Sequence, residues 1–244
     1  MDVPRRVVSL VPSLTELVWW LGSGDLLVGR TRFCTEPPEM THLVPTMGGT
    51  KDPDIAAIVA AAPDLVLANR EENRREDVEA LLAAGIDVLV TDPSTVTGAV
   101  AMVRELGERL GVAGRGETLA SETEALLSEP VQPTVRVLVP IWWKPLMAMG
   151  GDTFGSDLIV QAGGVNVLAD RPRYPEITLA EAEALRADLV LLPDEPYRFR
   201  EAHVAEFASV APAKVIDGKL LWWYGPRMPG AIRELRALLA EAAK

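Results

Sequence analysis

Apolar and polar positions form short blocks along the chain, and their period shifts from block to block. Arg6-Val7-Val8-Ser9-Leu10-Val11 is an apolar run closed by Pro12, which predicts a buried strand. Ser13-Leu14-Thr15-Glu16 then has the spacing of a capping box, opening a helix to Leu21 that Gly22 and Gly24 stop. A second short strand is expected over 26–31. The segment 32–50, with Pro37, Pro38, Pro45, Gly48 and Gly49, is expected to be loop. Asp52-Pro53 predicts an N-cap followed by proline for a helix over 54–62. A strand at 64–68, a helix at 74–84 closed by Gly85 and a strand at 87–91 follow. Strands alternating with helices of about 10 residues make a parallel, doubly wound sheet.

Two further helical stretches are expected at 95–110 and 112–128. At 1.5 Å per residue the second spans about 25 Å, and Pro130 and Pro133 end it. Val135-Arg136-Val137-Leu138-Val139-Pro140 then restarts the opening pattern, its terminal Pro140 matched with Pro12. The restart is an internal repeat. Ile55 through Leu67 aligns without gaps on Leu179 through Leu191, each copy a helix, a turn and a strand ending Asp-Leu-Val-Leu. The expected fold class is therefore α/β, with two Rossmann-like lobes of parallel-type sheet joined by one long backbone helix. The expected division is an N-terminal lobe at 1–94, linking helices at 95–130 and a C-terminal lobe at 131–244.

Charge narrows the function. Of 244 residues, 24 are Lys or Arg and 35 Asp or Glu, a formal net charge of −11. That field repels nucleic acid and anionic membrane surfaces. The single cysteine, Cys34, excludes an internal disulfide and paired-cysteine zinc sites. The two histidines, His42 and His203, read as surface residues. The longest apolar run, 55–62, is far too short to span a membrane. Met1-Asp2-Val3-Pro4-Arg5-Arg6 has no leader-like apolar stretch. The sequence as it stands thus reads as cytoplasmic, with a periplasmic or cell-surface location as the alternative if a leader has been removed.

Ligands of open parallel sheets bind beyond the carboxyl ends of the strands. Pro12 and Ser13, Phe33, the 69–73 segment, Trp142 and Trp143, the 193–197 segment and the 222–227 segment are therefore the positions to inspect. All six tryptophans occur in neighbouring pairs. Trp19-Trp20 read as helix core, whereas Trp142-Trp143 and Trp222-Trp223 read as strand ends. There one ring of each pair can be core and the other face a crevice. Arg227 is a candidate for an anionic ligand group. Glu71 and Glu72 read as a solvated helix start, and Glu16 and Glu181 as capping-box members. Catalytic elbows, phosphate loops and His-Glu-x-x-His are absent, and Gly48-Gly49, Gly150-Gly151 and Gly163-Gly164 read as turn glycines of positive φ. Cys34 has no histidine nearby in sequence to activate it.

Taken in order, Arg6–Leu17, Pro63-Asp64-Leu65-Val66-Leu67, Ala84-Gly85-Ile86, Gly163-Gly164-Val165-Asn166-Val167 and Ala187-Asp188-Leu189-Val190-Leu191 resemble the helical-backbone (class III) solute-binding proteins. This periplasmic-type class serves vitamin B12, ferric siderophores and haem in ABC importers, and the vitamin B12-binding branch looks nearest. The resemblance implies two lobes on a rigid helix with the ligand in the cleft between them. Its ligand-lining positions would be Pro12, Ser13, Phe33, Glu36, Asn69, Arg70, Trp142, Trp143, Tyr197, Trp223, Tyr224 and Arg227. It further implies no built-in cofactor, since such a ligand carries its own cobalt or iron. Transport members carry an acidic permease-docking residue at the top of each lobe. Here those places hold Ala56 and Ala180, although a one-residue slip puts Glu181 at the second.

The first expectation is thus a non-enzymatic protein binding a corrinoid, haem or ferric siderophore. An enzyme acting on a tetrapyrrole or other bulky cofactor through Glu71, Tyr224 and Arg227 is the alternative. A protein whose cleft is vestigial and whose role is interaction is a third.

Overall fold

The computed structural model describes residues 3–132 and 134–244. Met1, Asp2 and the expected helix-ending Pro133 lie outside them. The chain packs as two compact units. Unit 1 holds the chain through Pro93 with Ala99–Glu122 and Tyr224–Pro226, and unit 2 holds Ser94–Gly98, Thr123–Trp223 and Arg227–Lys244.

Unit 1 is built on β1 (Val7–Ser9), β2 (Leu27–Arg30), β3 (Leu65–Asn69) and β4 (Val88–Thr91). These strands are all parallel, in the order β2-β1-β3-β4. Its helices are α1 (Pro12–Trp20), α2 (Ile55–Ala60) and α3 (Arg75–Ala83). Two longer helices, α4 (Val96–Arg109) and α5 (Ala113–Leu127), follow. The three-segment expectation set these two apart as a linker. Instead Ala99–Glu122 joins unit 1, where Val100, Val103 and Leu106 form a buried stripe on α4 that Leu110 continues just past its end. Gly107 and Gly116 let α4 and α5 approach closely, a Cβ on Gly107 standing 3.2 Å from the Gly116 Cα.

Unit 2 carries β5 (Val135–Leu138), β6 (Pro140–Trp142), β7 (Met147–Ala148), β8 (Gly164–Asn166), β9 (Leu189–Pro193) and β10 (Ala213–Ile216). Its main sheet is parallel in the order β10-β9-β5-β8, while β6 and β7 form a separate antiparallel ribbon. The helices are α6 (Phe154–Gln161), α7 (Leu179–Ala184), α8 (Glu201–Val204), α9 (Lys219–Trp222) and α10 (Met228–Ala242). With β5, β8, β9 and β10 standing for β1, β2, β3 and β4, the two sheets have one topology. In both, the strand after the repeated helix, β3 or β9, is buried at every residue. Ile58, Val66 and Leu81 pack there in unit 1, as do Leu138, Val190, Phe199 and Phe207 in unit 2.

The repeat extends to individual hydrogen bonds. Asp54 caps α2 by accepting from the Ala57 amide at 2.9 Å, and Thr178, at the aligned position, caps α7 in a full capping box with Glu181. Each helix ends on a residue in the left-handed region, Ala62 at φ 43° and Arg186 at φ 49°. Asp64 then accepts the Arg5 and Arg6 amides at 2.7 and 2.9 Å, and Asp188 accepts the Arg136 amide at 2.8 Å. The arginines answer: Arg6 donates to the Ala61 and Ala62 carbonyls, Arg136 to those of Leu185 and Arg186. This pairs Arg6 with Arg136. The matching of Pro12 with Pro140 is therefore corrected by two residues.

Other expectations are corrected locally. Ser13 does not cap α1. Pro12 takes the first helical position after Val11, and no side chain caps that end. Asp52 pairs with Arg32 at 2.9 Å and leaves the capping of α2 to Asp54. Gly48 and Gly163 do have positive φ, but Gly150 and Gly151 do not. A Cβ on either of the latter would strike the carbonyl oxygens of Arg171 or Ala169. Trp222 lies in α9 and Trp223 just after it, so neither ends a strand. Trp19 packs on Gly24, while Trp20 is exposed.

Asp64→Ala and Asp188→Ala are each expected to lower stability by about 1 kcal/mol, since the hydrogen bonds they remove are solvent-exposed. Urea unfolding midpoints measure this, and unchanged midpoints in both variants would show that these contacts carry no stability.

Candidate functional site

In unit 1 the carboxyl ends of β1, β3 and β4 meet at a polar hub. Asn69, 3% exposed, closes β3. Its amide nitrogen donates to the Thr91 carbonyl and hydroxyl at 2.8 and 3.2 Å, and its amide oxygen accepts the Glu71 and Glu72 amides at 2.9 and 3.2 Å. The Asn73 amide oxygen accepts the Asn69 amide, while its nitrogen donates to the Leu10 and Thr50 carbonyls. The sequence placed Asn69 against a ligand. Its hydrogen-bonding groups instead serve the turn that presents Glu71 and Glu72.

Tyr224, 7% exposed, enters this hub, its hydroxyl hydrogen-bonded to Ser13 and Thr91. Burial pushes its phenol well above the ordinary tyrosine range, and the nearby Glu72 carboxylate pushes the same way. That bond also occupies the Ser13 hydroxyl, which had been expected to cap α1. Glu72 is exposed, yet its surroundings desolvate the carboxyl enough to raise its pKa against the pull of Lys51. Lys51 itself donates to the Glu71 carbonyl at 2.6 Å. Arg70 is exposed and paired with Asp92 at 3.0 Å. Pro12 starts α1 beside Ser13. Phe33, 52% exposed, stands on the loop after β2 with the Arg32 guanidinium 4.8 Å from its ring centre. Glu36 is half-buried on the same loop.

Cys34 is fully buried, hydrogen-bonded at 3.1 Å to Thr15 and to Thr31, and burial raises its thiol pKa. That environment suppresses the thiolate a nucleophile needs.

In unit 2 the strand ends carry aromatic rings. Trp142 is 43% exposed and rests edge-on against Tyr197 at 5.4 Å. Tyr197 rests in turn on the buried Phe199 at 4.8 Å. Trp143 turns the other way, onto Phe207 at 5.3 Å, and packs against the core. The alternation expected of this pair is what the structure shows: Trp142 is exposed, and Trp143 is half-buried, with Lys144 Nζ 5.8 Å from its ring centre. His203 is not a plain surface residue. Its ring lies edge-on to Tyr197 and Phe199, its Nδ1 accepts the Arg200 amide at 3.0 Å, and its Nε2 is 3.5 Å from the Tyr197 hydroxyl. His42 is exposed.

Glu195 lies under the third tryptophan pair; the sequence put it in the 193–197 segment to inspect but singled out only Tyr197 there. Its carbonyl accepts the Trp222 indole N–H and its carboxylate the Trp223 N–H, both at 2.8 Å. Trp223 is 8% exposed, with Lys219 Nζ and the Arg227 guanidinium at 5.2 and 5.1 Å from its ring centre. The available signal was that Glu195 stands two residues past a fully buried strand, at the repeat position of Glu71. Among the described residues, no group of three or more His, Cys, Asp or Glu is placed to hold a metal ion. Nor is any described helix long and apolar enough to cross a membrane.

Comparison with known proteins adds a family and a fold. A family model described as periplasmic binding protein matches residues 7–194. The vitamin B12-binding protein of Photorhabdus laumondii is 26% identical over 195 residues, 78% of this chain and 70% of that one. The structure of periplasmic vitamin B12 binding protein BtuF of Vibrio cholerae superposes with a TM-score of 0.84 at 20% identity, over 99% of both chains. That of periplasmic heme-binding protein RhuT from Roseiflexus sp. RS-1 does so with a TM-score of 0.80 at 24% identity, over 98% of this chain and 99% of the other.

Tyr224→Phe is expected to cost about 1 kcal/mol by unpairing Ser13 and Thr91. It should also remove the step at highest pH from the phenolate absorbance titration, and an unaltered titration curve would contradict the buried, hydrogen-bonded hydroxyl.

Proposed function

Because the chain belongs to the periplasmic binding protein family, we propose that it binds, without transforming, a bulky metal-chelate ligand: a corrinoid, haem or a ferric siderophore. The observation that carries this reading is Trp142. Its indole is 43% exposed at a strand end, and Tyr197, itself resting on Phe199, holds it edge-on. A rigid, exposed aromatic plate buries a large flat ligand at little entropic cost. Phe33, 52% exposed and next to Arg32, offers unit 1 a second such ring.

The polar groups suit the same role. Arg70, exposed and paired with Asp92 at 3.0 Å, can turn a guanidinium edge to a ligand's carboxylate or phosphate. The exposed Glu72 and the half-buried Glu36 can accept from its amides. The metal would arrive inside the ligand, already chelated, so the protein needs no cluster of its own ligating side chains. Acid–base chemistry through Tyr224 is disfavoured, since burial and the Glu72 charge both oppose its ionisation.

The relatives named for vitamin B12, and the importers such proteins serve, suggest delivery to a permease. The positions expected to dock one, Ala56 and Ala180, are exposed on α2 and α7 but uncharged. Glu181 is engaged by Thr178 and lies 3.7 Å from Arg171. We therefore read any permease contact as made by other residues.

Tryptophan emission titrated with cyanocobalamin, haemin and a set of ferric siderophores should show saturable quenching by at least one of them below about 50 μM. Trp142→Ala should weaken that ligand about tenfold, and Trp142→Phe less. Quenching by none of these compounds, or full affinity in Trp142→Ala, would sink the proposal.

A further inference from the structure

We infer that His203 is a positioning residue: its ring holds Tyr197 against Trp142 and so sets the exposed indole on which the ligand lies. The inference rests on the binding reading above and adds a determinant to it. Trp142 ends β6, a strand of three residues, and is 43% exposed. A side chain that open has several rotamers within reach unless a neighbour selects one. Tyr197 is such a neighbour, edge-on at 5.4 Å with the ring planes 67° apart. It is itself half-buried and follows β9 in a segment that is neither helix nor strand. What holds the Tyr197 ring is therefore what it touches: Phe199 at 4.8 Å and His203 at 5.7 Å, each edge-on.

Phe199 is 1% exposed and belongs to the core of unit 2. His203 is half-buried and has a different anchor. It lies on α8, a helix of four residues, too short to hold its own shape. His203 takes the third helical position, where a glutamate or glutamine commonly reaches back to the N-cap amide. Here the imidazole does so, its Nδ1 accepting the Arg200 amide at 3.0 Å. A backbone N–H can only donate, so Nδ1 is the bare nitrogen and the ring proton is assigned to Nε2. The Arg200 carbonyl, 3.3 Å from the same Nδ1, is the longer contact and would need the opposite tautomer. Nε2 then faces the Tyr197 hydroxyl at 3.5 Å, the long limit of a hydrogen bond.

The imidazole thus has two duties. One nitrogen closes the first turn of α8, and the rest of the ring buttresses the tyrosine that holds the indole. Substitution separates them. Glutamine keeps an oxygen for the Arg200 amide but puts no ring against Tyr197, whereas alanine removes both.

The test uses the full chain, with the quenching titrations above and near-ultraviolet circular dichroism without ligand. The difference between a chain and its Trp142→Phe variant isolates the dichroism of Trp142. His203→Gln should keep the wild-type urea midpoint and lose most of the Trp142 band. It should also bind about threefold to fivefold more weakly whichever of cyanocobalamin, haemin and the ferric siderophores wild type binds. His203→Ala should match it in band and affinity but unfold at lower urea. In a Trp142→Ala background, His203→Gln should weaken that compound no further, since the ring it positions is gone. Wild-type affinity in His203→Gln, or an added loss in the Trp142→Ala background, overturns the inference. If wild type binds none of these compounds, the binding reading fails. The dichroism then decides alone, since an unchanged Trp142 band in His203→Gln removes the positioning role.

Discussion

An aspartate placed just after a left-handed helix end organises both halves of this chain. Asp64 and Asp188 each take the amide of an arginine entering the first strand of its sheet, and that arginine returns its guanidinium to the carbonyls at the helix end. Helix ends leave carbonyls unsatisfied and carry partial negative charge, so a cation there is doubly favoured. The exchange fixes the register between the repeated helix–strand unit and the strand beside it. The strand ends beyond it, with everything they carry, inherit that register.

From the same scaffold the two units present different chemistry. After β3, Asn69 and Asn73 spend their amides on the backbone, and the turn delivers Glu71 and Glu72. After β9, Pro193 occupies the place of Asn69, and the chain goes on to Glu195 and Tyr197, which support tryptophans. One half offers hydrogen-bonding and charged groups, the other mostly flat apolar area.

Much of this was legible in the sequence, and the failures have physical causes. The repeat, the parallel sheets and the opposite facing of Trp142 and Trp143 follow from period and alternation alone. Two copies of one capping signal behaved differently. Thr178 and Glu181 form their box, whereas Ser13 and Glu16 do not, because Pro12 suits the first helical position and the Ser13 hydroxyl bonds Tyr224. No local rule foresees a partner so distant in sequence. Trp222 and Trp223 failed for a related reason: an apolar run of four residues reads equally as strand or helix. His203 looked polar in sequence and became part of an aromatic cluster through contacts that only tertiary structure supplies.

The sealed pocket of Cys34 has a consequence of its own. A lone accessible sulfur would let two molecules couple covalently wherever oxidants are present, and would tie performance to redox surroundings. Enclosed by Thr15 and Thr31, this sulfur is out of reach of such coupling while the native packing holds. The same enclosure makes it a built-in clock for unit 1: a thiol reagent can reach it only when the surrounding helix and loop part, so its labelling rate counts those openings.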